Sequence, residues 1–169
     1  RAENERIHRG MRHLFEYARR RGLEVYHMLT PMHANPGLLP DDPKYTATGY
    51  YGRTSVCWSQ PEARELARNM ARQEMEYYGP VDGYIVWFYD PGGCFCPDCR
   101  KNQGGNLFEQ LMLVVELAKS ISPDAQFEAC LWPTWCFDEP LWGINFPRED
   151  VKAFVREFLD RALDRFGPR

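Results

Sequence analysis

Residues 83–93 read Gly-Tyr-Ile-Val-Trp-Phe-Tyr-Asp-Pro-Gly-Gly, and this stretch decides the fold. A short apolar run that passes directly into a Pro-Gly-Gly turn is typical of a buried strand followed by a loop. Two further runs, 23–29 and 126–132, have the same setting, since each follows a helical pattern and leads into a longer aromatic-rich loop. The sequence therefore predicts three strands, at 23–29, 83–89 and 126–132.

Amphipathic patterns around these runs predict four helices, over residues 5–21, from 59 to about 79, 106–120 and from about 147 to 166. Helices that alternate with strands favour a parallel sheet built from right-handed crossovers. An open doubly wound sheet and a (β/α) barrel both satisfy this order. Residues 30–36, after the first strand, lack the glycines of a nucleotide-binding turn. The long loops that follow each strand favour the barrel, whose sites lie at the carboxyl ends of its strands.

A complete barrel has eight strands and about 250 residues, whereas this chain has 169 residues and three predicted strands. We therefore expect an α/β fold in which residues 1–169 form a single fragment of a TIM-type (β/α) barrel. It would contain about three βα units with parallel strands, and the rest of the barrel would come from sequence outside this chain.

The charge of the chain excludes two classes of partner. The formal net charge is −3 and the isoelectric point is near 5.8, whereas nucleic acids and anionic membranes require a basic surface. No apolar run approaches the roughly 20 residues that cross a bilayer. We expect neither a nucleic-acid nor a membrane partner, and the sequence does not indicate a localisation.

Three carboxylates are the candidate catalytic groups. Asp90 lies where the second strand meets its loop, Glu128 lies within the third strand, and Asp138 lies in the loop beyond it. A carboxylate at a strand end is typical of a barrel active site, and glycoside hydrolysis uses a pair of them. The structural alternatives are that Asp90 caps its turn, that Glu128 pairs with an interior base, and that Asp138 is solvated.

Aromatic residues form 14% of the chain, and all five tryptophans lie near or beyond a predicted strand end, with none in a predicted helix. Flat rings beneath a sugar and polar groups around its hydroxyls form a carbohydrate site. We predict that the sugar would be contacted by five residues of these loops: His33, Tyr51, Arg53, Trp132 and Trp135. Ordinary core packing is the competing explanation for the tryptophans.

Three cysteines fall within six positions, at Cys94, Cys96 and Cys99. Thiolates at this density predict a metal, most simply a structural zinc with a fourth protein ligand. Residues that could supply this ligand are Cys57, His33, Cys130 and Cys136. Free thiols or a Cys94–Cys99 disulfide remain open as alternatives, while the spacing matches neither common ferredoxin pattern.

Two stretches resemble a known family. Residues 17–25, Tyr-Ala-Arg-Arg-Arg-Gly-Leu-Glu-Val, followed by Pro-Met-His-Ala at 31–34, resemble glycoside hydrolase family 20-like barrels, as do residues 55–62. The resemblance implies that His33 matches the loop histidine of that family and Asp90 its aspartate. Residues 90–99 look more like a Cys-containing loop in uncharacterised barrels related to α-glucuronidases and hexosaminidases. The family pattern continues with a glutamate as general acid, where this chain has Pro91.

The first functional hypothesis is a glycoside hydrolase-type barrel that acts on a carbohydrate through strand-end carboxylates and an aromatic sugar platform. The alternative is a non-catalytic carbohydrate-binding barrel with a structural zinc site, which the missing Asp-Glu pair favours. A third hypothesis is a metal-dependent enzyme that uses the cysteine cluster directly.

Overall fold

The computed structural model describes residues 2–34, 39–40, 42, 44–47, 55–88, 94, 96–131 and 148–167. Within these ranges the chain forms three strands and five helices, in an alternating order. The strands are β1 (Tyr26–Leu29), β2 (Gly83–Trp87) and β3 (Gln126–Cys130). The helices are α1 (Ala2–Arg19), α2 (Pro61–Tyr78), α3 (Pro97–Lys101), α4 (Gln103–Ile121) and α5 (Arg148–Phe166).

The strands form one all-parallel sheet in the order β1-β2-β3. Tyr26 pairs with Gly83, and Gly83 pairs with Gln126, so β2 is the central strand. The predictions of a mixed α/β fold and of a parallel sheet are confirmed. Neighbouring βα units of a barrel have this consecutive strand order, so the arrangement is compatible with a partial barrel.

One face of the sheet forms the core against the helices. Tyr84, Val86 and Phe88 are buried on this face, and Leu29 of β1 lies beside them. They alternate with the half-buried Ile85 and Trp87, which is the period-two pattern of a strand. Each such apolar side chain contributes roughly 1.5–3 kcal/mol by leaving water.

The opposite face of the sheet is largely uncovered by the described residues. Met28, Ile85 and Glu128 form one in-register row across it. Met28 is 53% exposed, and Glu128 is exposed as well. Parallel sheets are usually covered on both faces, and in a closed barrel this second face is the interior.

A glycine lets one side chain cross this face at the amino-terminal ends of the strands. The ring of Tyr26 lies over Gly83, where a Cβ atom would overlap the ring. The Tyr26 hydroxyl lies 3.1 Å from Oε1 of Gln126 on the far strand. The absence of a side chain at position 83 therefore permits a direct contact between β1 and β3.

The elements differ from the predicted ones mainly at their ends. β1 begins at Tyr26 rather than at 23, because Gly22 and Leu23 still belong to the turn that ends α1. The N-cap of α2 is Gln60 rather than Ser59. The sequence also gave no sign of α3, a five-residue helix inside the cysteine-rich segment.

None of the described helices is long and apolar enough to cross a membrane.

Candidate metal centre

The cysteine cluster is assembled by two neighbouring parallel strands. Cys57 lies between β1 and α2, and Cys94, Cys96 and Cys99 follow β2. Because β1 and β2 pair in parallel, both segments leave the sheet at the same edge. Residues 37 or more positions apart in the chain are thus brought into contact.

The four Sγ atoms all lie within 4.8 Å of one another. Sγ of Cys57 lies 3.5 Å from that of Cys94, 3.8 Å from that of Cys96 and 3.9 Å from that of Cys99. A tetrahedral ion with metal–sulfur bonds of about 2.3 Å separates its sulfurs by about 3.8 Å. The spacing therefore suits one metal ion that contacts all four sulfurs.

Local backbone structure directs these side chains inward. Cys96 is the N-cap of α3, its sulfur accepts a hydrogen bond from the Cys99 N–H at 3.4 Å, and Pro97 begins the helix. This one-turn helix places Cys96 and Cys99 side by side, and Cys99 is 1% exposed. On the other segment, the Cys57 N–H donates to the Tyr45 carbonyl at 3.1 Å.

The sulfurs perturb one another's protonation. Hydrogen bonds from Cys94 and Cys99 hold the pKa of Cys57 well below its ordinary value. Hydrogen bonds with Cys57 and Cys94, and then burial, raise the pKa of the Cys99 thiol. Neighbouring S–H groups favour a first thiolate in the cluster, and that thiolate disfavours a second one by repulsion. A cation among the sulfurs removes that repulsion.

The structure selects among the predicted fourth ligands. Cys57 joins the three predicted cysteines, whereas His33 and Cys130 are not part of the group, and Cys136 lies outside the described residues. All five described cysteines are free thiols, so no Cys94–Cys99 disulfide is present. Four close sulfurs on two loops could hold a metal ion and connect those loops.

The predicted catalytic and sugar-binding residues fall mostly outside the described part of the chain. These are Asp90 and Asp138 among the catalytic candidates, and Tyr51, Arg53, Trp132 and Trp135 among the sugar-binding ones. Of the described candidates, Glu128 is exposed, on the sheet face that the described residues leave largely uncovered.

His33 is exposed in the segment after β1, where it forms an isolated antiparallel bridge with Ser55. Partial desolvation lowers the pKa of its imidazole, and the nearby Glu74 carboxylate opposes that shift. This histidine follows β1, as Cys57 does.

Two of the five tryptophans, Trp58 and Trp87, lie in the described part of the chain. Trp58 is 2% exposed and donates from Nε1 to the Glu109 carboxylate at 3.0 Å. It packs at the α2–α4 contact, so core packing explains this tryptophan and a sugar-binding wall does not. Trp87 is half-buried on β2.

The hydroxyl of Ser59 contacts two sulfurs of the cysteine cluster. Its Oγ lies 3.1 Å from Sγ of Cys57 and 3.5 Å from Sγ of Cys96. The sequence Ser-Gln-Pro-Glu at 59–62 favours a helix cap at Ser59, and no local signal indicates the sulfur contacts.

Comparison with protein-family models, curated proteins and solved structures finds no match for this chain. The resemblance to glycoside hydrolase family 20-like barrels therefore rests on the quoted residues alone.

Proposed function

We propose that Cys57, Cys94, Cys96 and Cys99 bind one structural zinc ion, which connects the segment after β1 to the segment after β2. The observation that carries this proposal is the sulfur spacing of 3.5–3.9 Å around Cys57. These three distances equal those of a tetrahedral four-thiolate site to within a few tenths of an ångström, and the other sulfur pairs lie within 4.8 Å. Four protein ligands close the coordination sphere, which is the mark of a structural rather than a catalytic zinc.

The donor set narrows the choice of metal. Soft thiolates select zinc, copper(I) and iron over magnesium or calcium, and a tetrahedral arrangement of four sulfurs favours zinc or iron. A multi-iron cluster would hold its thiolates farther apart, because metal–metal separations add to the distance between ligands. A single zinc is therefore the occupant that agrees best with the geometry.

Elemental analysis of the purified chain tests this proposal. We expect one zinc per chain, and substitution by Co²⁺ should give the visible spectrum of a tetrahedral four-thiolate site. Cys57→Ser should lose stoichiometric binding, whereas Cys130→Ser, which alters a half-buried cysteine outside the group, should retain it. A chain that binds no zinc from metal-supplemented medium, or that binds iron in its place, would overturn the assignment.

We further propose that the chain is part of a glycoside hydrolase-type (β/α) barrel that acts on a carbohydrate at the carboxyl edge of its strands. The exposed Glu128 supports this, because it lies on the sheet face that a closed barrel encloses. Asp90 and Asp138 would be its partner carboxylates. Tyr51, Trp132 and Trp135 would contact the sugar rings, and His33 and Arg53 would contact hydroxyl or carboxylate groups.

The unpaired edges of β1 and β3 and the exposed faces of the outer helices support a larger barrel. Within the described residues, β1 and β3 each pair on one side only. The outermost helices also carry exposed apolar side chains, including Leu14 on α1 and Leu163 on α5. Further βα units of the barrel would pair with these strand edges and cover these helix faces.

A hydrolysis screen with the complete barrel separates the carbohydrate hypotheses. We expect cleavage of a glycoside that Asp90→Asn and Glu128→Gln abolish while sugar binding remains, with the exposed Glu76→Gln on α2 as the matched control. Sugar binding without cleavage would support the alternative, a non-catalytic carbohydrate-binding barrel with a structural zinc. Neither binding nor cleavage across the screen would refute a carbohydrate function. The closed four-thiolate set argues against direct catalysis by the metal.

A further inference from the structure

Ser59 occupies a position where a helix cap is expected but makes a different contact. A serine followed three residues later by Glu62 is the capping-box pattern. The N-cap of α2 is nevertheless Gln60, and no side chain caps this helix. A side-chain cap stabilises a helix by about 1 kcal/mol. The hydroxyl of Ser59 does not make this contact and instead lies against sulfur.

The hydroxyl lies between ligands from both loops. Its Oγ is 3.1 Å from Sγ of Cys57 and 3.5 Å from Sγ of Cys96. The Gln60 N–H donates to the Cys57 carbonyl at 3.1 Å, and this turn brings Ser59 back over the Cys57 side chain. Ser59 is itself half-buried, so water has limited access to compete for the contact.

A metal-bound thiolate is a hydrogen-bond acceptor only, so the hydroxyl proton points toward a sulfur once the metal is bound. Four thiolates around a divalent cation carry excess negative charge, and a donated hydrogen bond disperses part of it. Groups that hydrogen-bond to metal ligands typically alter metal affinity by about 10–100-fold when they are removed.

We propose that Ser59 is a positioning residue of the metal centre, whose hydroxyl donates to the thiolate of Cys57 or Cys96 and slows release of the metal. This inference rests on the proposed zinc site. It adds that the hydroxyl at position 59 serves as a hydrogen-bond donor to the thiolates and not as the cap of α2.

The test compares Ser59→Ala with the wild type in the Co²⁺-substituted chain. We expect tetrahedral coordination in both, with the thiolate-to-cobalt charge-transfer band of the variant at lower energy, because an unbonded thiolate is easier to oxidise. Transfer of zinc to a chromophoric chelator should be about 10–100-fold faster in the variant. Ser59→Thr should restore both properties. Ser120→Ala is the matched control, since the hydroxyl of Ser120 bonds to the Leu117 carbonyl on α4.

The outcomes distinguish this inference from the zinc proposal. Wild-type chain that binds neither zinc nor Co²⁺ would refute the site itself. Wild-type chain that binds Co²⁺, with a Ser59→Ala variant of unchanged spectrum and release rate, would refute the role of Ser59 alone. Faster release with an unchanged charge-transfer band, and no rescue by threonine, would assign Ser59 a packing role and would likewise overturn the inference.

Discussion

Removal of the metal should lower the thermal stability of this chain by a predictable amount. Cys57 and Cys94 are separated by 37 positions, so a metal that contacts both closes a loop of that length. A permanent cross-link over such a loop reduces the entropy of the unfolded chain by the equivalent of about 4 kcal/mol. For a chain of this size that corresponds to a decrease in Tm of about 8–16 °C.

The measurement is thermal unfolding by calorimetry and far-ultraviolet circular dichroism, at a fixed free zinc concentration and then with excess chelator. The free concentration is fixed because stabilisation by a ligand increases with its concentration. We expect the wild type to show the full decrease on chelation, and Cys57→Ser to start at the lower Tm and respond little. Cys130→Ser should respond as the wild type does.

Two results would refute this reasoning. One is a wild-type Tm that changes by less than about 2 °C between zinc and chelator, since the loop-entropy argument requires a change several times larger. The other is a Cys130→Ser variant that loses its zinc response as completely as Cys57→Ser does, because Cys130 lies outside the cluster.

Three further predictions concern helix packing, a hydrogen bond from the backbone to a side chain, and the pH dependence of zinc affinity. Gly104→Ala should destabilise the chain by about 1–3 kcal/mol in urea unfolding, because its Cβ would overlap a carbonyl oxygen of α5. The control is Gly10→Ala, which has open space around it and should be neutral or stabilising by up to about 1 kcal/mol. Asp82→Ala should lower the free energy of unfolding by about 1–3 kcal/mol in the same assay, because Asp82 accepts a hydrogen bond from the Val25 N–H at 2.8 Å. Replacement of the exposed Asp124 by alanine should lower it by less than about 0.5 kcal/mol. Zinc affinity should fall as the pH falls, because contacts with Cys57 and Cys94, and then burial, raise the pKa of the Cys99 thiol, whose proton competes with the metal. Calorimetric titration in buffers of different ionisation enthalpy counts the released protons, and a pH-independent affinity would contradict the expectation.

The sequence predicted the sheet well because strand signals are local. The alternation of Tyr84, Val86 and Phe88 with Ile85 and Trp87 was readable from the chain alone, and the structure buries the first three. The parallel arrangement followed from helices between strands, which is also a local pattern. Strand and helix ends were less predictable, because turn hydrogen bonds decide them.

The metal centre was predictable only in part. Three cysteines within six residues indicate a metal on their own, but the fourth ligand depends on which strands are neighbours. The sequence offers four candidates, and the pairing of β1 with β2 brings Cys57 to the other three cysteines. The contact of Ser59 with Cys96 was not predictable for the same reason, since the two residues are 37 positions apart in the chain.

Glu128 illustrates a different limit. Glu128 lies inside an apolar run and is exposed, because β3 is an edge strand in the described sheet and the face that bears Glu128 is largely uncovered. Whether a strand residue is covered depends on what lies across the sheet, and no pattern within residues 126–132 contains that information.

The contact of Tyr26 with Gln126 across Gly83 has an evolutionary consequence. Three positions on three different strands share one space, so they are not free to vary independently. A larger residue at 83 would be accepted only together with a smaller one at 26, and the partner at 126 would then lose its selective constraint. Related sequences should therefore show positions 26, 83 and 126 changing as a set, and such covariation would reveal the strand order β1-β2-β3 from an alignment alone.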